Sequence, residues 1–276
     1  FRIAAVPSQG RMPMPEWKTS IARDHPCWYG YRPLLDALPE GGFPAPAQLK
    51  RVLPPEARTR AEHAVRFVPA EHLPGVDYER HIYETGEIAT RGNWHDLCNA
   101  LVWCRLPRFK AAMNALHYDH LRDEAGGRRG PLRDALTLLD ESGVIVTGDA
   151  PTLFAALAAR DWPRAFVSLR DEWRRVRVVV CGHAILEKFL QPYKALTAHA
   201  LYLSGPLSTA EAALDQRLEA ALLREGRLGA PADLDPLPLM GIPGWWTGGA
   251  QDAAFYADRT VFRPPRGLKS DAGGAQ

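Results

Sequence analysis

Most of the signatures that would name a reaction are missing from this chain. It has no GxSxG, no P-loop, no GxGxxG ahead of a helix and no HExxH, so the sequence marks of the common serine hydrolases, nucleotide-binding folds and zincins are absent. Charge of one sign is also missing. The 34 Lys+Arg stand against 32 Asp+Glu, a formal net charge of +2, which does not make nucleic acid the expected partner. No apolar run reaches the length of about 20 residues that spans a bilayer. The start, FRIAAVPSQGRMP, lacks a signal-peptide apolar region. It opens at Phe1 rather than Met, so a few native residues are expected to precede it. Only four cysteines occur, Cys27, Cys98, Cys104 and Cys181, with no CxxC pair and no zinc-ribbon spacing. Reduced thiols in a cytoplasmic protein are the expectation.

What is present is an ordinary globular composition, 46% hydrophobic and 24% charged in 276 residues, enough chain to bury a core without a staple. The order of elements predicts an α+β fold. Residues 1–80 are proline-rich (PEGGFPAPAQ, VLPPEA, AEHLPG), which blocks long regular elements and predicts an arm packed on the core. Residues 81–266 form the expected core domain, and 267–276 a disordered tail. YERHIYETGEI predicts a helix that stops near Gly86. Asn93 caps a helix from Trp94 to about Arg105, and a second follows from Arg108 to about Glu124, making a helical hairpin. In DALTLLDESGVIVTG the Asp140-Glu141-Ser142-Gly143 step reads as a β-hairpin turn between two strands of a mixed sheet. Arg174 to Val180 predicts a strand and HAILEKFLQP a short helix. Thr209 to about Glu225 predicts a helix opened by a capping box at Ser208. The end, LPLMGIPGWW with FYADRTVFRPP, predicts a loop and a terminal strand.

The stretch TRGNWHDLCNALVW (Thr90 to Trp103) crowds Arg91, His95, Asp96 and Asn99 at the start of what otherwise reads as a buried, apolar helix. Buried polar groups need partners, so this arc either satisfies its neighbours or faces a pocket. Asp96 has a structural role available at the helix N-terminus, and Arg91 can pair with a nearby acid. His95 on such a helix can equally be a core histidine.

The second constellation is CGHAILEK, where His183 and Glu187 lie at i and i+4 on one face, directly after a valine-rich strand. The helix start favours a neutral imidazole, which can be a base or a metal ligand. His199 in LTAHALYL can complete a His183/Glu187/His199 set if the fold brings them together. His117 and His120 read as a surface and a core residue. Asp140 and Glu141 read as turn acids, and Trp245 and Trp246 as a loop anchor.

The blocks RGNWHDLCNALVW, PRFKAAMNALH, RDALTLLDESGVI, GHAILEK and GIPGWW, followed by FY and VFRP, resemble a bacterial family catalogued as domain of unknown function 3025, over about Tyr83 to Pro264. The resemblance implies a bacterial, cytoplasmic protein and transfers no catalytic residue. Cys98 and Cys104 stand where bulkier apolar residues are expected in that family, which argues for packing rather than thiol chemistry.

The leading expectation is a small-molecule enzyme, a metal-assisted or acid/base hydrolase. Catalytic candidates are His95, Asp96, Asn99, His183, Glu187 and Arg91, with His183, Glu187, His95 and His199 as ligands of a divalent metal such as zinc. Arg91 would anchor an anionic substrate. A binding or scaffold protein with a structural polar network is the rival. Nucleic-acid binding through Arg128, Arg129, Arg133 and Arg174 to Arg177 is a third reading, although acids interleave those arginines.

Overall fold

Local signals place five of the ten α-helices among the described residues near where the sequence predicts them. In the computed structural model, which describes residues 17–72, 77–123, 130–207 and 210–264, ten α-helices and six strands make an α+β domain. Two short helices come first, α1 (Arg32–Ala37) and α2 (Pro46–Leu49), each with proline in its first turn where the missing N–H costs nothing. Strand β1 (Arg66–Pro69) precedes α3 (Tyr78–Thr85), which Asp77 caps by accepting from Arg80 N–H. Gly86 ends α3 at φ 75°, a left-handed turn in which a Cβ would meet the Ala64 carbonyl oxygen at 2.2 Å. The chain then enters β2 (Glu87–Thr90), which pairs in parallel with β1.

Asn93 caps α4 (Trp94–Arg105), and after Leu106 the chain continues as α5 (Pro107–Asp123). From Pro131 to Ser142 the chain is helical, α6, and only Gly143–Gly148 is a strand, β3. The β-hairpin expected at Asp140 to Gly143 is therefore corrected. Leu132, Ala135, Leu136 and Leu139 recur at helical spacing, and the last three are buried, so the 3.6-residue period prevails over the turn-like Asp-Glu-Ser-Gly string. All six β3 residues are buried, as befits a strand flanked on both sides in the second sheet. That sheet has the order β4-β3-β5-β6, with β4 at Val176–Val180, β5 at Thr197–Ser204 and β6 at Asp235–Pro238. It is mixed: β3 runs antiparallel to β4 and parallel to β5, and β5 runs antiparallel to β6.

The remaining helices are α7 (Pro151–Ala158), α8 (His183–Lys188), α9 (Glu211–Leu223) and α10 (Ala253–Tyr256). One further expectation changes. Helix α9 spans Glu211–Leu223; Ser208 and Thr209 of the expected capping box lie outside the described residues. The expected terminal strand is instead α10 followed by turns through Arg263. The expected tail at 267–276 also lies outside the described residues.

Acids on α9 serve α5. Asp215 accepts the N–H groups of Arg108 and Phe109, each at 2.9 Å, capping α5 from a neighbouring helix. Burial pushes its carboxyl up to about 6, against those two bonds. The segment before β1 joins the same core through Trp28, Tyr31 and Leu35, and the Tyr31 hydroxyl donates to the Val180 carbonyl oxygen at 2.6 Å. No helix among the described residues is long and apolar enough to cross a membrane.

Candidate functional site

The site is assembled where three helix ends meet. At the start of α4, Asp96 N–H donates to Asn93 Oδ1 at 2.8 Å, while Asp96 Oδ2 accepts from Arg91 N–H at 2.7 Å and from Arg91 Nε at 2.9 Å. This reciprocal bonding fixes the loop and the first turn, and with them His95. Helix α8 begins immediately after β4, through Gly182. Both Cys181 N–H and Gly182 N–H donate to the Gly143 carbonyl oxygen, at 3.2 and 2.8 Å. The end of α6 is thereby held against the start of α8, which sets Glu141 beside His183. Helices α4 and α8 also pack on each other.

The two imidazoles meet through their Nε2 atoms at 3.0 Å, with the rings inclined at 76°. Glu141 Oε2 lies 3.6 Å from His183 Nε2. One ligand atom from each of His95, Glu141 and His183 falls within 4.8 Å of the others. Behind each imidazole stands a carboxylate: Glu187 Oε2 is 3.4 Å from His95 Nδ1, and Asp140 Oδ2 is 3.7 Å from His183 Nδ1. Asp140 is itself ion-paired with the buried Lys110, whose ammonium lies 5.5 Å from the Trp103 ring centroid.

These contacts have an electrostatic consequence. A neutral imidazole that directs its Nδ1 hydrogen at a carboxylate carries a lone pair on Nε2. Carboxylate oxygens lie 3.4 and 3.7 Å from the two Nδ1 atoms, the second too long for a hydrogen bond; tautomers with both Nδ1 hydrogens toward these acids would face two Nε2 lone pairs across 3.0 Å, where a cation, metal ion or proton, would relieve the repulsion. Burial holds the His183 imidazole below its ordinary pKa, against the pull of Asp140. Burial also opposes charge on Asp140, but Lys110 and His183 outweigh it and hold that carboxyl below the usual range.

The cluster opens on a cleft of about 340 Å³ whose walls include Tyr78, Glu79, Asn99 and His117. Glu79 accepts from Asn114 Nδ2 at 2.7 Å. Burial, with the charge of Asp140, pushes its carboxyl up to about 7 although Asn114 and Lys110 favour ionisation. Arg91 stands at the rim with its side chain 67% exposed while bonded to Asp96.

Of the sequence candidates, His95, Asp96, Asn99, His183 and Arg91 line this one cleft, and Glu187 reaches it through His95. His199 does not join them: its Nδ1 meets Ser142 Oγ at 3.0 Å on β5, outside the cluster. Glu141 and Asp140 do join it, as residues of the last turn of α6 rather than of a hairpin. Glu79 and Tyr78 join the walls without a sequence signal, and His117, expected at the surface, is instead buried there. The helical period of α6 was an available signal for the two acids; nothing local marked Glu79. His120, by contrast, bonds its own helix at the Leu116 carbonyl oxygen, 2.9 Å away.

All four cysteines are buried and free. Burial pushes each thiol up, which suits packing rather than nucleophilic chemistry. The arginines of the β4 region are matched by acids, Arg175 with Asp149 at 3.0 Å and Glu172 at 2.9 Å, and Arg177 with Glu211. Arg128 and Arg129 lie outside the described residues.

The blocks that carry this geometry fall within one sequence family. The family described as "Protein of unknown function (DUF3025)" matches residues 65–266, well over half of the chain. The chain belongs to the DUF3025 family. The matched span of the DUF3025 domain contains β1 and β2, both sheets' pairings and every residue of the histidine–carboxylate cluster. No curated protein and no solved structure matches the chain.

Proposed function

We propose that this DUF3025 protein is a metal-assisted hydrolase of a small molecule, in which His95, His183 and Glu141 bind one divalent cation such as zinc. The observation that carries the proposal is the 3.0 Å approach of two Nε2 atoms whose Nδ1 atoms both face carboxylates. Ligand atoms held about 2.0–2.1 Å from a tetrahedral zinc are about 3.3 Å from one another. The spacings of 3.0 Å between the imidazoles and 3.6 Å from His183 to Glu141 bracket that value. Glu187 and Asp140 then act behind the ligands, orienting the imidazoles and raising their basicity.

Three protein ligands leave a position for water on the cleft side, the pattern of catalytic rather than structural zinc sites. A cation there would lower the pKa of that water and polarise a substrate carbonyl or phosphoryl oxygen. Glu79, with a carboxyl near 7, has a proton affinity suited to general acid–base work at neutral pH. Arg91 supplies a rim cation for an anionic part of the substrate. A proton shared between the two Nε2 atoms fits the same spacing and underlies the rival reading of a purely structural network.

Metal content separates them. Protein purified without an affinity tag and dialysed against zinc is expected to retain about one equivalent, and His183→Ala and His95→Ala to lose it. Wild-type protein that retains only trace metal, with no rise in melting temperature on adding zinc, would leave the shared-proton network in its place.

A further inference from the structure

Asn99 follows His95 by one helical turn, so both lie on the face of α4 that borders the cleft. Its Nδ2 donates to the Tyr78 hydroxyl oxygen at 3.0 Å. Its Oδ1 is buried and meets no hydrogen-bond partner among the described residues, in a side chain on a residue only 8% exposed. Buried amide oxygens are seldom left in this state, because desolvation without a replacement bond is costly. Tyr78 has the complementary property. Its oxygen accepts from Asn99, and its own hydrogen has no acceptor among the described residues. The residue as a whole is 39% exposed, but desolvation of its hydroxyl, with the charges of Glu79 and Asp140, raises its pKa, so the phenol keeps that hydrogen.

One donor and one acceptor therefore stand side by side on the wall of the cleft that holds the histidine–carboxylate cluster. From this juxtaposition we infer that Tyr78 and Asn99 recognise a carboxamide, the Tyr78 hydroxyl donating to the carbonyl oxygen and Asn99 Oδ1 accepting from the amide N–H. Exchanging the oxygen and nitrogen of Asn99 inverts the pair and still leaves one donor and one acceptor. An ester or a carboxylate has no N–H to offer and strands Asn99. Sites that bond a substrate hydrogen reject analogues lacking it more strongly than apolar pockets reject a missing methylene.

The inference deepens the hydrolase proposal and rests on it for the reaction, though not for recognition. The reaction is amide hydrolysis with water as co-reactant. The water oxygen bonds to the carbonyl carbon and the C–N bond breaks. The proton lost by the water passes through Glu79 to the departing nitrogen, leaving a carboxylic acid and an amine.

The test compares acetohydroxamic acid with N-methylacetohydroxamic acid on zinc-loaded protein by calorimetry. Both chelate a metal, but only the first carries an N–H. Wild-type protein is expected to bind the first at least tenfold more tightly, and Asn99→Leu to lose that preference. Equal affinities in wild type, a preference that survives in Asn99→Leu, or no binding of either compound by zinc-loaded protein overturns the inference and leaves the metal proposal standing.

If zinc itself does not bind, the metal proposal fails, and recognition is read on metal-free protein from the Asn99 side-chain NMR signals. A shift with acetamide but not with N,N-dimethylacetamide then supports the pair; a shift with both or with neither overturns it. Should Asn99→Leu fail to fold, Tyr78→Phe takes its place in the calorimetry. It removes the carbonyl donor and is expected to weaken both hydroxamates several-fold, and unchanged affinity for both would count against the pair.

Discussion

His95 and His183 lie 88 positions apart in the chain and meet nitrogen to nitrogen at 3.0 Å. Each belongs to a different helix, and each has its own acid behind it, Glu187 for one and Asp140 for the other. The two acids differ in surroundings, Glu187 being 38% exposed and Asp140 18% exposed and paired with the buried Lys110. Their substitutions are therefore expected to behave differently.

Glu187→Gln should weaken zinc binding while leaving the fold alone. A carboxylate behind a ligating histidine is worth roughly 10–100-fold in metal affinity, whereas a half-exposed charge contributes little to stability. Competition against a chelating dye measures the first effect and the melting temperature of metal-free protein the second. Unchanged affinity would remove Glu187 from the site.

Asp140→Ala should instead unfold the protein readily, because it leaves the Lys110 ammonium buried without its partner. The loss expected in urea denaturation is about 3–5 kcal/mol. Lys110→Met added to it should recover a large part of the loss, since no buried charge then remains; a double variant no more stable than Asp140→Ala alone would mean the ion pair is not what the site depends on.

Glu79 should make stability depend on pH. Its folded carboxyl titrates near 7 against an ordinary 4.5, so the folded state holds the proton more tightly than the unfolded chain. The stabilisation is complete below the ordinary value and is lost as pH rises through 7. Burial and the neighbouring Asp140 and Asp77 raise the value, while Asn114 and Lys110 act the other way. Glu79→Gln cannot ionise, so its stability relative to wild type should increase by on the order of 2 kcal/mol between pH 5 and pH 8. A constant difference across that range in chemical denaturation would contradict the assignment.

Gly182→Ala should damage fold and site together. An added Cβ would lie 2.3 Å from the Gly143 nitrogen and 2.7 Å from the Ser142 carbonyl carbon, where α6 and α8 are clamped. Overpacking against backbone costs about 1–3 kcal/mol, and relief would separate Glu141 from His183. Melting temperature and zinc affinity are expected to fall in parallel; normal zinc binding in a destabilised variant would show that the clamp does not position the ligands.

How much of this was legible beforehand depends on the range of the signal. Asn93 as a cap, Gly86 as a stop and the helical runs after Trp94 and His183 are marked by neighbouring residues, so their elements were readable. Asp140-Glu141-Ser142-Gly143 is locally ambiguous, because the same four residues suit a hairpin turn and a helix end. The apolar spacing upstream of them resolves it only once Leu136 and Leu139 have a core to enter. The parallel pairing of β1 with β2 had no local mark at all.

The sequence by itself determined the cap at Asn93, the stop at Gly86 and the sharing of one α4 face by His95 and Asn99 with Asp96 at its edge, because a helix's own period sets which side chains share a face. Only the tertiary structure decided their companions. Glu141 replaced His199 in the cluster and Glu187 moved behind His95, because those distances depend on the Gly143–Gly182 backbone bond and on the packing of α4 against α8, contacts between residues far apart in the chain.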